Sequence, residues 1–378
     1  MLRKGSFSGT HEVISAMCLA IVLTISQAAS SLACTGIRLV AKDGTVVYGR
    51  TMEWGAFDLN SRVAIIPRGH TFTGLTPEGD NGKTWVAKYG VVALDMLEHD
   101  WFADGMNEAG LAVGLFYHPG FAEYPAYDPD QASSTISPMD VVGYLLTQFA
   151  TIDEAKAGLA EVRIANVLED LVGIPDSAHW MVTEPSGSSI VIEYANGEVR
   201  FFENQLGVIT NAPTYDWHMT NLRNYLNLSA VALPTLSIAD MDFAPIGAGS
   251  GMIGLPGDNT PPSRFVRAVA WTQTARSTPT SSETVYEMLR ILDNFNLPLG
   301  AAEGSGSAAE DLLKGMRSST IWTSVWDLAE ETLYFHTQHS RRLRKVSLDG
   351  VDFDGEGIRH IPLDRKKLQD TEDLTPGG

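Results

Sequence analysis

The sequence predicts an α+β fold, on three observations. Strand-like alternation fills the first third of the chain and returns near its end. Helical periodicity occupies runs between those strands, and strands and helices never alternate in the strict order of a doubly wound sheet.

Residues 35–40 alternate as Thr-Gly-Ile-Arg-Leu-Val, turn at Lys42-Asp43-Gly44, and continue through 45–50 as Thr-Val-Val-Tyr-Gly-Arg, which is a hairpin signal. Further strands are expected at 61–67, 84–94, 110–117, 180–183, 189–194, 199–202 and 207–210, where β-branched and aromatic residues lie between Gly, Pro and Asn punctuation. Helices are expected at 138–149 with Ser137 as cap, and at a stretch opening Thr151-Ile152-Asp153-Glu154 with capping-box spacing. The same template fits 215–226, 263–274 and 283–292. Strands return at 321–326, 332–336 and 344–347; residues 301–309, small and Gly/Ser-rich, read as a flexible loop, and the polar tail from Asp364 as frayed. There is no internal repeat.

Residues 1–33 read as a secretory signal peptide rather than as fold. Arg3 and Lys4 precede an uncharged apolar run at 13–25, too short to span a bilayer comfortably. Ser31-Leu32-Ala33 then puts small side chains at the first and third positions before a cut between Ala33 and Cys34. A periplasmic, exported product is implied. A lipoprotein acylated on Cys34 competes, although Leu32 sits one place too close for the usual pattern. Removing 33 of 378 residues leaves 345, enough for a substantial core, and with no composition break residues 34–378 read as a single domain. The formal charge of −19 includes a net +1 from Arg3, Lys4 and Glu12, so the remainder is near −20. That balance opposes nucleic acid and anionic membranes and points to a small-molecule partner, with no stable membrane insertion once the leader is gone.

Of two cysteines, Cys18 lies in the discarded run, so Cys34 is a lone thiol in an oxidising compartment and has no disulfide partner. An N-terminal cysteine has a particular use: its own α-amine, which titrates at about pH 7.7–8.0 when unperturbed, can take the thiol proton. Nucleophile and base then sit in one residue, and the signal-peptidase cut becomes the activation step.

The motifs around this cysteine are specific. Cys34-Thr35-Gly36 followed by Gly49-Arg50-Thr51-Met52-Glu53 resembles the opening of the choloylglycine hydrolase family, which contains bile salt hydrolases and penicillin V acylases. Ala103-Asp104-Gly105-Met106-Asn107-Glu108-Ala109-Gly110-Leu111 is similar to the family's strand-forming block. Val208-Ile209-Thr210-Asn211-Ala212-Pro213 and Gly254-Leu255-Pro256-Gly257-Asp258, continuing through Ser263-Arg264-Phe265, are similar to its two later motifs. The resemblance implies a four-layer αββα N-terminal-nucleophile hydrolase that cleaves linear amides through a Cys34 thioester, with no cofactor and no metal, as a homotetramer. It implies Cys34 as nucleophile and Arg50 as positive charge beside the sulfur. Asn211 becomes an oxyanion donor, worth about 2.7–4 kcal/mol in a comparable hydrolase. The backbone at Tyr117 becomes the second donor, and Arg264 completes the polar network. Two departures stand out. Glu53 occupies the place of a family Asp that holds the α-amine, and is one methylene longer. Tyr117 matches penicillin V acylases, whereas bile salt hydrolases tend to carry Asn, which leans the substrate toward an aromatic or fatty acyl amide; a one-residue gap would put Phe116 there instead. An acylase of acyl-homoserine lactones is the alternative enzyme, and a non-catalytic acylated binding lipoprotein the alternative of another class.

Other signals fall short. Gly247-Ala248-Gly249-Ser250-Gly251 lacks the Lys-Ser/Thr of a P-loop, and Ala248 and Met252 break a nucleophile elbow at Ser250. Asp352-Phe353-Asp354-Gly355 fails as a calcium loop because Gly350 and Ile361 occupy ligand positions. His336 and His339 have no Glu or Cys with which to build a zinc site. A papain-like pairing of Cys34 with His218 or His179 is the enzymatic rival, without a papain signature around Cys34. Trp54, Phe57, Trp85, Trp101 and Phe116 are candidates for an acyl pocket, and equally for core.

Overall fold

A computed structural model describes residues 34–167, 177–301 and 311–375. The leader and most of the 301–309 loop lie outside these residues.

Two large sheets dominate. The first has six strands in the order β14 (Val208–Ile209), β1 (Thr35–Val40), β2 (Val46–Glu53), β17 (Thr320–Asp327), β18 (Thr332–Thr337) and β19 (Arg344–Ser347). The second has eight: β13 (Glu198–Glu203), β12 (Ser189–Ala195), β11 (Ala178–Thr183), β8 (Ala112–Tyr117), β7 (Trp101–Asn107), β6 (Val91–Met96), β3 (Arg62–Ile66) and β20 (Arg359–Pro362). All pairings within both sheets are antiparallel. Short hairpins β4 (Thr71–Thr73) with β5 (Thr84–Val86) and β15 (Leu236–Ile238) with β16 (Met241–Phe243), and the parallel pair β9 (Thr135–Ile136) with β10 (Arg163–Ile164), complete the strands.

Helices cover the outer faces. On the eight-stranded sheet α1 (Asp140–Gln148) packs against β7 and β8, with α2 (Ile152–Ala160) beside it. On the six-stranded sheet lie α4 (Pro261–Thr274) and α5 (Ser281–Leu292), with α3 (Tyr215–Leu222) against α4. The result is the αββα stack. One apolar cluster joins Ile37, Val47 and Val325 to Val92, Leu94 and Met106 across the two sheets and to Phe265 and Met288 of the helices. A second fills the space between the eight-stranded sheet and α1.

Local chemistry accounts for the element ends. Gly44 closes the β1–β2 hairpin at φ 89°, a conformation that costs a side-chain-bearing residue more. Thr151 caps α2 by accepting the Glu154 N–H at 3.2 Å, while the Glu154 carboxylate takes the Ala150 N–H at 2.8 Å, one residue before the box position. Helix α1 starts at Asp140, two residues later than expected; Ser137 Oγ accepts the Asp140 N–H at 3.2 Å and Asp140 Oδ2 the Ser137 N–H at 2.8 Å. The run 84–94 divides into β5 and β6.

β2 is buried along its whole length, because β1 and β17 flank it, α5 covers one face and the second sheet the other. Polar side chains on such a strand have no water to bond, so each must find a protein partner.

Candidate active site

Register decides which side chains meet. Gly36 pairs with Arg50 and Thr35 with Thr51 across β1 and β2, so Cys34, one step earlier, stands beside Met52 on the same inward face as Arg50. The Cys34 sulfur is 3.9 Å from Met52 Sδ and the residue is 3% exposed. Directly opposite Arg50, a Cβ on Gly36 would run into the Phe116 ring, and that ring lies 4.3 Å beneath the guanidinium. Glycine in the Cys34-Thr35-Gly36 run therefore makes the room in which Arg50 stacks.

Arg50 is fully buried and has no carboxylate in direct contact among the described residues. Its guanidinium donates to the Ala103 carbonyl at 2.9 Å and to the Leu115 carbonyl, strand backbones of the second sheet. Burial pushes the Cys34 thiol up, and Arg50 is the largest influence in the opposite direction. Asp104, reached by Ser324 Oγ at 2.5 Å and Trp326 Nε1 at 2.7 Å, supplies a buried carboxyl on the same inner layer; burial raises it to about 6. In the sequence, Asp104 stands out only as part of a motif.

Asn211, just after β14, is the hub. Its Oδ1 accepts from the Cys34 nitrogen at 2.8 Å and from Arg264 Nη2 at 2.6 Å, while Nδ2 donates to the Tyr117 carbonyl at 2.7 Å. In the uncut chain the Cys34 nitrogen is a peptide N–H standing where the α-amine would be. Arg264, in the first turns of α4, also donates to the Cys34 carbonyl, to Thr35 Oγ1 at 3.0 Å and to the Asn259 carbonyl at 3.0 Å; burial lowers it to about 10. Glu53 is buried, accepts the Thr320 hydroxyl at 3.1 Å on Oε1, and is faced by the Thr51 hydroxyl from the same strand; burial raises it to about 7. It does not bond the Cys34 nitrogen, whose single hydrogen goes to Asn211. Tyr117 pairs with Ala178 at the end of β8 and is half-buried, whereas Phe116 is fully buried. All six residues singled out from the sequence thus converge on one region, Glu53 meeting the Cys34 sulfur through its backbone N–H and Arg264 through its charge.

A family model described as linear amide C–N hydrolases, choloylglycine hydrolase family, matches residues 34–360. The chain belongs to that family. The bile salt hydrolase/transferase of Clostridium perfringens is 30% identical over 329 residues, covering 86% of this chain and 95% of the relative. The penicillin V acylase of Pectobacterium atrosepticum is 27% identical over 368 residues, covering 93% and 90%. A crystal structure of a variant of the C. perfringens conjugated bile acid hydrolase superposes with a TM-score of 0.75 at 28% identity, over 90% of this chain and 99% of the other. This family member is a hydrolase of linear amide C–N bonds, with the αββα fold expected from its motifs.

The remaining candidates sort by contact. His179 bonds Glu193 and the Thr210 carbonyl, and His218 Nε2 the Asn211 carbonyl at 2.9 Å; neither has a hydrogen bond to the Cys34 sulfur. His339 meets Asp58, and His336 meets Arg341, so those two form no ligand pair. Trp85 is core: it stacks on Phe72 and donates to Thr147 Oγ1. Trp54 and Phe57 meet edge to face at 5.2 Å just beyond β2. Among the described residues, His118, His179 and Glu193 bring metal-capable atoms within 4.8 Å of one another. The two imidazoles, however, stack 4.0 Å apart and 20° from parallel. The two rings therefore lie face to face rather than edge-on around a common point. No spacing pattern announced this cluster, which comes from three separate strand ends.

Proposed function

We propose that the chain is a periplasmic cysteine amidase, a single catalytic domain of residues 34–378 activated by removal of 1–33. It hydrolyses acyl amides with an aromatic or fatty acyl group. The observation that carries this reading is the Asn211 hub, which ties the Cys34 nitrogen, Arg264 and the Tyr117 backbone into one buried network.

In this scheme the Cys34 α-amine takes the thiol proton and the sulfur attacks the amide carbon, with Arg50 favouring the thiolate. The oxyanion accepts hydrogen bonds from the second Asn211 Nδ2–H and from the Tyr117 N–H. Collapse breaks the C–N bond, and the leaving amine picks up the proton held by the α-ammonium. Water, deprotonated by the same amine, then hydrolyses the thioester and frees the thiol. Cleavage before Cys34 gives its nitrogen further hydrogens, and the buried Glu53 carboxylate, which also faces the Thr51 and Thr320 hydroxyls, is the acceptor assigned to one of them.

Relatives named for bile salts and for penicillin V bracket the substrate, and Tyr117 favours the second group. The homotetramer is also part of the proposal. Leu236, Ile238, Met241 and Phe243 leave the β15–β16 hairpin apolar and exposed, and a lone two-stranded hairpin has little stability of its own. Light scattering that gives a monomer removes that part.

The test is one preparation. Intact mass should give a chain starting at Cys34 with a free thiol; a lipid-modified Cys34 supports the binding-lipoprotein alternative. Turnover of penicillin V, glycocholate and a long-chain acyl-homoserine lactone should rank penicillin V or the lactone first and vanish in Cys34→Ala. Activity that survives Cys34→Ala, or a mature chain starting elsewhere, refutes the scheme.

A further inference from the structure

Behind Asn211 lies a buried group of side chains that the proposed reaction does not use: His118 after β8, His179 on β11, Glu193 on β12, and Tyr215 and His218 on α3. His179 Nε2 is 3.0 Å from the Thr210 carbonyl oxygen. A carbonyl cannot donate, so Nε2 carries a hydrogen. Its other nitrogen, Nδ1, lies 3.1 Å from Glu193 Oε1, which already accepts the Tyr215 N–H at 2.9 Å. Without a proton between Nδ1 and Oε1, an imidazole lone pair would face a carboxylate in a dry interior. The pair must share one. His218 adds a second clamp, donating from Nε2 to the Asn211 carbonyl at 2.9 Å. Two successive carbonyls, Thr210 and Asn211, are thus held by imidazole N–H groups behind the side chain that forms the hub.

We infer that Glu193 and His179 are positioning residues: the proton they share locks the backbone that aims Asn211, and its loss releases the lock, so turnover falls on the alkaline side. The inference rests on the proposed role of Asn211.

The electrostatics support a neutral pair. Burial raises Glu193 to about 7 and lowers His179 to about 3, so the proton sits on the carboxyl and is donated to Nδ1. The charged and titratable groups facing Glu193 are His118, which burial holds down at about 2, the Tyr215 phenol, which burial raises to about 12, Asp216 at the start of α3 and Arg200 on β13. His218 faces His179 from α3, and Arg264 faces His218 from α4. None of these sits between Glu193 and Nδ1. Because the folded carboxyl titrates above its ordinary value of 4.5, the stability it contributes is complete below that value and is lost as pH rises through about 7.

Glu193→Gln separates the lock from its titration. Nδ1 and the Tyr215 N–H both address Oε1, so a glutamine that places its NH2 there keeps the donation to Nδ1, gives up the bond from Tyr215, and has nothing to ionise. On mature enzyme, kcat against pH from about 6 to about 9 should show a one-proton alkaline fall in wild type and none in Glu193→Gln. Glu193→Leu should lose roughly tenfold or more at every pH, because Asn211 is no longer aimed. A wild-type fall that persists in Glu193→Gln overturns the inference, as does Glu193→Leu with wild-type turnover. If Glu193→Gln does not fold, imidazole nitrogen NMR of wild type decides: the His179 signals should move with the midpoint seen in kcat, and signals constant across it overturn the proposal. Asn211→Ala distinguishes the two layers. Should it leave kcat intact, the role of Asn211 fails, whereas the His179 titration still reports on the shared proton.

Discussion

Replacing Asn211 tests the site most directly, and the hydrogen bonds set the size of the effect. Asn211→Ala strips partners from the Cys34 nitrogen, the Arg264 guanidinium and the Tyr117 carbonyl, at 2.8, 2.6 and 2.7 Å, all in a buried setting. Each lost bond costs about 1–3 kcal/mol, although Arg264 keeps Cys34, Thr35 and Asn259 as partners, so stability should fall by about 3–9 kcal/mol. Loss of an oxyanion donor should independently lower kcat by roughly 10²–10³. Asn211→Asp pulls these effects apart. It keeps an oxygen for the Cys34 nitrogen and Arg264 but turns a second oxygen toward the Tyr117 carbonyl, an acceptor facing an acceptor, and should cost about 1–3 kcal/mol of stability. It has no N–H for the oxyanion, so kcat should fall as far as in Asn211→Ala. Calorimetry gives the first quantity and single-turnover rates with penicillin V the second. A kcat for Asn211→Asp within about tenfold of wild type would show that the side chain organises the site without contacting the reacting carbonyl.

Two further outcomes follow from the same geometry. Glu53, raised by burial from 4.5 to about 7, should make the folded chain less stable as pH climbs through that interval, and Glu53→Gln should flatten the slope by at most about 3 kcal/mol in chemical unfolding. If cleavage delivers an ammonium to Glu53, the slope persists in the uncut chain and disappears from the mature one; a slope in neither contradicts the burial argument. Tyr117→Asn should shift relative kcat/KM toward glycocholate while penicillin V is still turned over, because Asn211 bonds the Tyr117 backbone and not its ring. An unchanged substrate ratio would mean that Tyr117 does not line the acyl pocket.

Much of this was legible in the chain, for identifiable reasons. The β1–β2 hairpin declares itself because Gly44 marks its turn and both strands follow strand chemistry, and α4 and α5 because their apolar period is long enough to measure. β20 was not legible: it is an edge strand of four residues, Arg359–Pro362, ending in a proline. Nor was the β15–β16 hairpin, exposed on every residue, so that no alternation between buried and open faces imprints it. In the site, Cys34, Arg50, Asn211 and Arg264 stood out through motifs. Gly36 as the space for Phe116, and Asp104 as a buried carboxyl near Arg50, required strand register. The Glu193–His179 pair required it most, since β11 and β12 must be aligned before those two residues face each other.

The Asn211 hub also says something about how the chain comes together. Its three partners lie 177, 94 and 53 residues away in sequence, on the start of β1, the end of β8 and the first turns of α4. Contacts of such separation are closed at a cost in chain entropy that local helices and hairpins do not bear. No fragment lacking any of those segments can assemble the site. During refolding, activity should therefore be the last property to return, behind helix content and sheet content, and regain of turnover makes a stringent clock for completion of the whole sandwich.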